Sequence, residues 1–132
     1  MNEPHDAHPP WTPEQSSTCY QIQGWGDPYF RINARGHVQV HPDGTPGRGV
    51  DLYELTQDLR ARGHTLPLLL RFSDIVAHRL QLLNESFGRA IAEYEYEGTY
   101  RGVYPVKVNQ QRRLVEEVVR YGNPWEFGLE AG

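Results

Sequence analysis

Tyr100-Arg101-Gly102-Val103-Tyr104-Pro105-Val106-Lys107-Val108-Asn109-Gln110-Gln111 is the stretch on which the fold of this chain turns. From Val103 to Val108, β-branched and aromatic residues follow one another without a helical period, the pattern of a short buried strand. Lys107 interrupts that run at its carboxyl end. A lysine is seldom fully buried unless it is paired or reactive, so two readings stand side by side. Either the strand ends here and the amine reaches water, or a partly desolvated, uncharged amine is available to form a Schiff base. Spacing alone does not choose between them.

The flanking residues set this run in a repeating pattern. Downstream, Leu114, Val115, Val118 and Val119 form the apolar stripe of a helix that Gly122 ends and Pro124 closes off. Trp125 to Glu130 then reads as another strand. Upstream, Leu66-Pro67-Leu68-Leu69-Leu70-Arg71-Phe72 is too short for an amphipathic helix and predicts a strand or extended segment buried on both faces. Ser73 or Asp74 caps a long helix after it, with Val76, Leu80, Leu83, Phe87 and Ile91 inward up to about Tyr94 and with Arg79, Asn84 and Glu85 facing water. Tyr94 to Gly98 is the loop that leads into the central strand. Extended segment, helix, strand, helix, strand in this order calls for parallel pairing through right-handed crossovers, an α/β arrangement.

The first half of the chain is different. Residues 1–11 lack periodicity and predict a tail; His5, Asp6 and His8 have no second ligand pair at metal-site spacing, and no metal site is assigned to them. Thr12, Pro13 and Gln15 match a capping box with proline at the first helical position, predicting a short helix to about Tyr20. Trp25-Gly26-Asp27-Pro28 predicts a turn. Tyr29 to Asn33 and Val38 to Val40 alternate like strands of a hairpin, joined by Ala34-Arg35-Gly36 with glycine in the left-handed position. His37 and His41 flank the second strand and are expected to face solvent.

Pro42-Asp43-Gly44-Thr45-Pro46-Gly47-Arg48-Gly49 predicts a linker between sub-structures. It resembles a phosphate-binding loop only superficially, because the Gly-Lys-Ser/Thr ending is missing. Asp51 and Glu54 have capping spacing, and Leu52, Leu55 and Leu59 continue a helix to Gly63, with Arg60 and Arg62 complementing its dipole. The expected organisation is a tail and short helix over residues 1–20, a hairpin and linker over 21–49, and an α/β segment over 50–132.

Composition narrows the function classes. The 132 residues are 38% hydrophobic and 11% aromatic, which suits a folded domain. A net charge of −4 gives no electrostatic reason to expect nucleic acid, and no apolar run approaches the roughly 20 residues needed to cross a membrane. The N-terminus has no apolar core of a secretory signal, and Cys19 is the single cysteine, so a cytoplasmic location is expected.

Tyr104-Pro105-Val106-Lys107-Val108-Asn109 resembles the cofactor-lysine motif of pyridoxal-phosphate enzymes built like alanine racemase and ornithine decarboxylase. More narrowly, the chain resembles the N-terminal part of the biosynthetic arginine decarboxylases. The resemblance runs through Trp25-Gly26, Tyr29 to Asn33, Gly36-His37-Val38, Gly49 to Leu52, Leu68 to Ile75, Gly102 to Gln111 and Phe127 to Gly132, in that order. It implies that the hairpin belongs to a β-domain and that residues 50–132 begin a β/α (TIM-type) barrel, with Lys107 at the carboxyl end of an early strand, the face at which barrel chemistry sits. Lys107 would then hold pyridoxal phosphate, and Glu130 would match an acidic residue lying near the cofactor.

The same resemblance implies decarboxylation of L-arginine to agmatine and carbon dioxide in polyamine synthesis, a homo-oligomeric parent, no nucleic-acid or membrane partner, and magnesium as a further component. A complete barrel takes roughly 250 residues, so the chain is expected to be a fragment inactive on its own. Two alternatives remain: a decarboxylase of ornithine, lysine or diaminopimelate, and a truncated, non-catalytic binding or regulatory module.

Overall fold

The computed structural model describes residues 10–47 and 49–132, and they form two compact units divided after Leu68. His5, Asp6 and His8 lie outside the described residues.

In the first unit, helix α1 (Pro13–Cys19) starts as its capping box predicts: the Gln15 amide donates to the Thr12 hydroxyl, and the Gln15 side chain accepts from the Thr12 amide. A short helix α2 (Ile22–Gly26) follows, so Trp25 and Gly26 end a helical turn and only Asp27 and Pro28 form the bend. Strands β1 (Phe30–Ile32) and β2 (Val38–Val40) pair antiparallel, with Phe30 opposite Val40 and Ile32 opposite Val38. The three-residue loop closes as predicted. Gly36 takes φ +79°, and Asn33 Oδ1 accepts from the amides of Arg35 and His37.

A third strand, β3 (Val50–Asp51), pairs antiparallel with β2, placing Asp51 opposite Gln39. The Gly/Pro-rich stretch therefore lies in the connection from β2 to β3. Helix α3 (Leu52–Ala61) packs on these two strands. Asp51 caps it, its Oδ1 accepting from the Tyr53 and Glu54 amides, and Gly63 follows its end at φ +91°. Val40 is the fully buried residue of this unit.

In the second unit, residues 69–72 form neither helix nor strand. Nor do residues 66–68 of the first unit form a strand, and Leu69 is 73% exposed. A strand buried on both faces needs partner strands along its edges, and among the described residues none pairs with this segment. Helix α4 (Ser73–Glu93) has Phe72 at its cap with no side-chain bond; Ser73 Oγ instead donates to Glu117 Oε1 at 2.6 Å. Asn84 does not face water. It is 6% exposed, one turn from Leu80 on the inward face, and its Nδ2 donates to the Leu80 carbonyl. Phe87 stacks flat on Tyr100 with ring centroids 3.8 Å apart.

Strand β4 (Val103–Pro105), helix α5 (Arg112–Gly122) and strand β5 (Gly128–Glu130) form a β-α-β unit whose strands are parallel, as the element order predicts. Val103 pairs with Gly128, Tyr104 with Leu129 and Pro105 with Glu130. Helices α4 and α5 pack together, with Leu80 and Val118 the most buried apolar side chains of this unit. Gly122 ends α5 as read, with φ −82°. Its smallness admits Phe127: a Cβ there would lie 2.6 Å from Phe127 Cβ, and one on Gly102 would overlap the Phe127 ring.

Candidate functional site

Strand β4 ends earlier than its apolar run suggests. Pro105 has no amide hydrogen to continue a ladder, and Val106–Val108 closes into a 3-10 turn. Lys107 is therefore carried on a turn just past the strand, not within it. Its side chain is 67% exposed among the described residues. Lys107 is also the only lysine among the 13 basic residues of the chain.

Glu130 arrives at the same place from the other strand. Pro105 and Glu130 form the last rung of the parallel pair, so a turn leaving β4 projects over the carboxyl end of β5. Lys107 Nζ lies 3.8 Å from Glu130 Oε2, and Glu130, with its side chain 39% exposed, accepts the Gly132 amide on Oε1 at 2.7 Å. The two residues singled out in the sequence thus come together as an ion pair at the carboxyl ends of adjacent parallel strands, where loops of β/α folds collect catalytic groups. Two neighbours were not singled out. Tyr104 Oη donates to the Asn109 carbonyl at 3.2 Å, and Asn109 Oδ1 accepts the Gln111 amide at 3.1 Å. An Asx turn before a helix was the available signal for Asn109; nothing local marked Tyr104. The Tyr104 ring also lines an apolar cavity of about 600 Å³ with Leu80, Leu83, Leu114, Val118 and Phe127.

A second polar cluster lies within the first unit. Asp51 Oδ2 accepts from Asn33 Nδ2 (2.8 Å) and Arg35 Nη2 (3.1 Å) and lies 2.9 Å from His37 Nδ1. Arg35 Nη1 also bonds Glu54, and the His37 ring lies 4.6 Å from that of Tyr53. Burial opposes the charge on Asp51, but the His37 hydrogen bond, the Glu54 amide and Asn33 outweigh it and bring the carboxyl down to about 2. His41 does not face solvent but is buried, with Nδ1 3.0 Å from the Thr45 carbonyl, while His37, beside the Asp51 that β3 brings up, is half-buried. Every oxygen of Asp51 has a structural partner, and the cluster ties the hairpin to the start of α3.

Among the described residues no group of three or more His, Cys, Asp or Glu could hold a metal ion, and no helix is long and apolar enough to cross a membrane.

In class, the chain combines an antiparallel hairpin unit with a β-α-β unit that presents one lysine at its strand ends. No protein-family model matches it. Its sequence is similar to biosynthetic arginine decarboxylase, as the ordered blocks around Lys107 suggest. Over 122 residues it is 57% identical to the biosynthetic arginine decarboxylase of Gloeobacter violaceus, a match covering 92% of this chain and 19% of that protein. It is 55% identical over 131 residues to that of Nostoc sp., covering 99% of this chain. The fold agrees: the crystal structure of the biosynthetic arginine decarboxylase SpeA from Campylobacter jejuni matches 86% of this chain and 18% of its own, with a TM-score of 0.76 and 33% identity. The chain thus spans about a fifth of the length of the curated relatives it matches.

Proposed function

We propose that this chain is the segment of a pyridoxal-phosphate-dependent arginine decarboxylase that carries the cofactor lysine, and that the whole enzyme converts L-arginine to agmatine and carbon dioxide. The observation that carries the reading is the Lys107–Glu130 pair, the chain's one lysine and a strand-end carboxylate 3.8 Å apart above two parallel strands. An exposed primary amine fits the attachment point of an aldehyde cofactor. When bound, the cofactor supplies an acceptor for the electrons released as carbon dioxide leaves. Lys107 would hold the cofactor, and Glu130, whose Oε2 lies 3.8 Å from the Lys107 amine, would orient it toward the strand ends. Magnesium finds no ligand set among the described residues, and no step is assigned to it.

In this reading β4 and β5 are neighbouring strands of a β/α barrel that residues 50–132 begin, while residues 21–49 contribute to a β-domain after the tail and helix of residues 1–20. Val50 and Asp51, paired with β2, join the hairpin's sheet. The parent enzyme is a cytoplasmic homo-oligomer, and the 132 residues alone do not turn over arginine, because they amount to about a fifth of a relative's length. The test is agmatine formation by the whole protein that contains this segment, with Lys107→Arg beside it. Loss of activity in the variant supports the reading. Agmatine at the unaltered rate, or turnover of ornithine, lysine or diaminopimelate in place of arginine, overturns it.

A further inference from the structure

We propose that Tyr104 and Asn109 are positioning residues for Lys107, closing the turn that carries it so that its amine stays at Glu130. The inference rests on the role given to Lys107 above and adds two residues to that site. A 3-10 turn of three residues has few hydrogen bonds of its own, and Val106–Val108 has no side-chain cap at its start; nor does α5. Lys107 and Val108 are both exposed, so packing does not hold the turn either.

What spans it is the Tyr104 hydroxyl, bonded to the Asn109 carbonyl five residues on. Tyr104 is a firm anchor because its backbone pairs with Leu129 in the sheet and its ring lines the apolar cavity. Asn109 passes the restraint on: its Oδ1 takes the Gln111 amide at the start of α5. The turn is thereby tied to β4 on one side and to α5 on the other, and Lys107 sits midway between the ties. A lysine side chain has four rotatable bonds, so its amine stays near one carboxylate only if its backbone is held.

The single lysine makes the test direct. Reductive methylation with ¹³C-formaldehyde labels Lys107 and the α-amine alone, giving a dimethyl-lysine NMR signal whose shift reports the groups around it. Glu130→Gln should move the Lys107 signal in the otherwise unaltered chain. In Tyr104→Phe and Asn109→Ala chains the signal should move toward that of a free dimethyl-lysine, and Glu130→Gln should then produce no further shift. Borohydride-trapped pyridoxal phosphate at Lys107 should fall three- to tenfold in either variant. A merely structural role would lower the thermal midpoint and leave the Glu130-dependent shift intact. That shift surviving at full size in both variants overturns the proposal, and should Tyr104→Phe fail to fold, Asn109→Ala, which keeps the carbonyl bonded by Tyr104 and removes only Oδ1, tests the tie to α5, a full-size shift there overturning it. Failure of Lys107 to take up pyridoxal phosphate in the unaltered chain would sink the cofactor reading, while the formaldehyde signal still decides the positioning.

Discussion

Gly122→Ala is a demanding test of how the β-α-β unit is packed. On helical propensity alone, alanine at the last position of α5 should stabilise by about 0.5–1 kcal/mol. The added Cβ would, however, lie 2.6 Å from Phe127 Cβ and 3.2 Å from Cγ, about 0.8 Å short of ordinary van der Waals contact. Phe127 cannot swing its Cβ away as a flexible tip would. Its amide is bonded to the Gly122 carbonyl at 3.1 Å, and the next amide, of Gly128, to the Gly102 carbonyl at 2.9 Å. Overpacking of this kind costs about 1–3 kcal/mol, so set against that gain the net loss is up to about 2.5 kcal/mol, or a midpoint lowered by up to roughly 10 °C. Gly88→Ala is the counterpart: Gly88 lies inside α4, exposed, with nothing within 4 Å of a new Cβ, and the substitution should stabilise by about 0.5–1 kcal/mol. Thermal unfolding followed by circular dichroism compares the two. A Gly122→Ala chain as stable as the Gly88→Ala chain refutes the close approach of Phe127.

Three further outcomes follow from single groups. The Asp51 carboxyl is lowered from 3.8 to about 2 in the folded chain, so its contribution to stability is complete above pH 3.8 and is lost as pH falls toward about 2; urea midpoints across that range should drop more steeply than in Asp51→Asn, and equal slopes would contradict it. Thr12→Ala removes the capping-box acceptor and should weaken α1 by about 1 kcal/mol, seen as roughly fivefold faster hydrogen exchange at the Gln15 amide. Lys107→Arg keeps the charge but not a deprotonatable amine, so borohydride trapping of pyridoxal phosphate should fall to what the α-amine alone takes up; a total yield unchanged from the unaltered chain would remove Lys107 from the site.

What was legible in the sequence was local or periodic. The capping box at Thr12 to Gln15, the three-residue loop closed by Gly36 and the cap at Asp51 need only residues within a few positions of one another, and each appears as read. The parallel pairing of β4 with β5 followed from alternation of element types. Features set by distant contact were not legible. The burial of Asn84 depends on the backbone carbonyl it finds, and the enclosure of His37 depends on a third strand only two residues long. Gly122 ends α5 as read, but its part in admitting Phe127 was not legible. The segment from Leu66 to Phe72 has a strand's composition without strand neighbours. At the candidate site the two charged residues were readable from the run and its resemblance, whereas the Tyr104 tie was not, because a tyrosine in an apolar run shows nothing of where its hydroxyl points.

The central claim is that the chain's single lysine is the attachment point of pyridoxal phosphate in a segment that does not turn over arginine alone. The direct measurement is to incubate the 132-residue chain with pyridoxal phosphate, reduce with borohydride, map the adduct by peptide mass spectrometry and assay the same sample for agmatine from L-arginine. The account predicts cofactor on the peptide containing Lys107 and no agmatine. An unmodified Lys107, or robust agmatine formation by this chain alone, would contradict it.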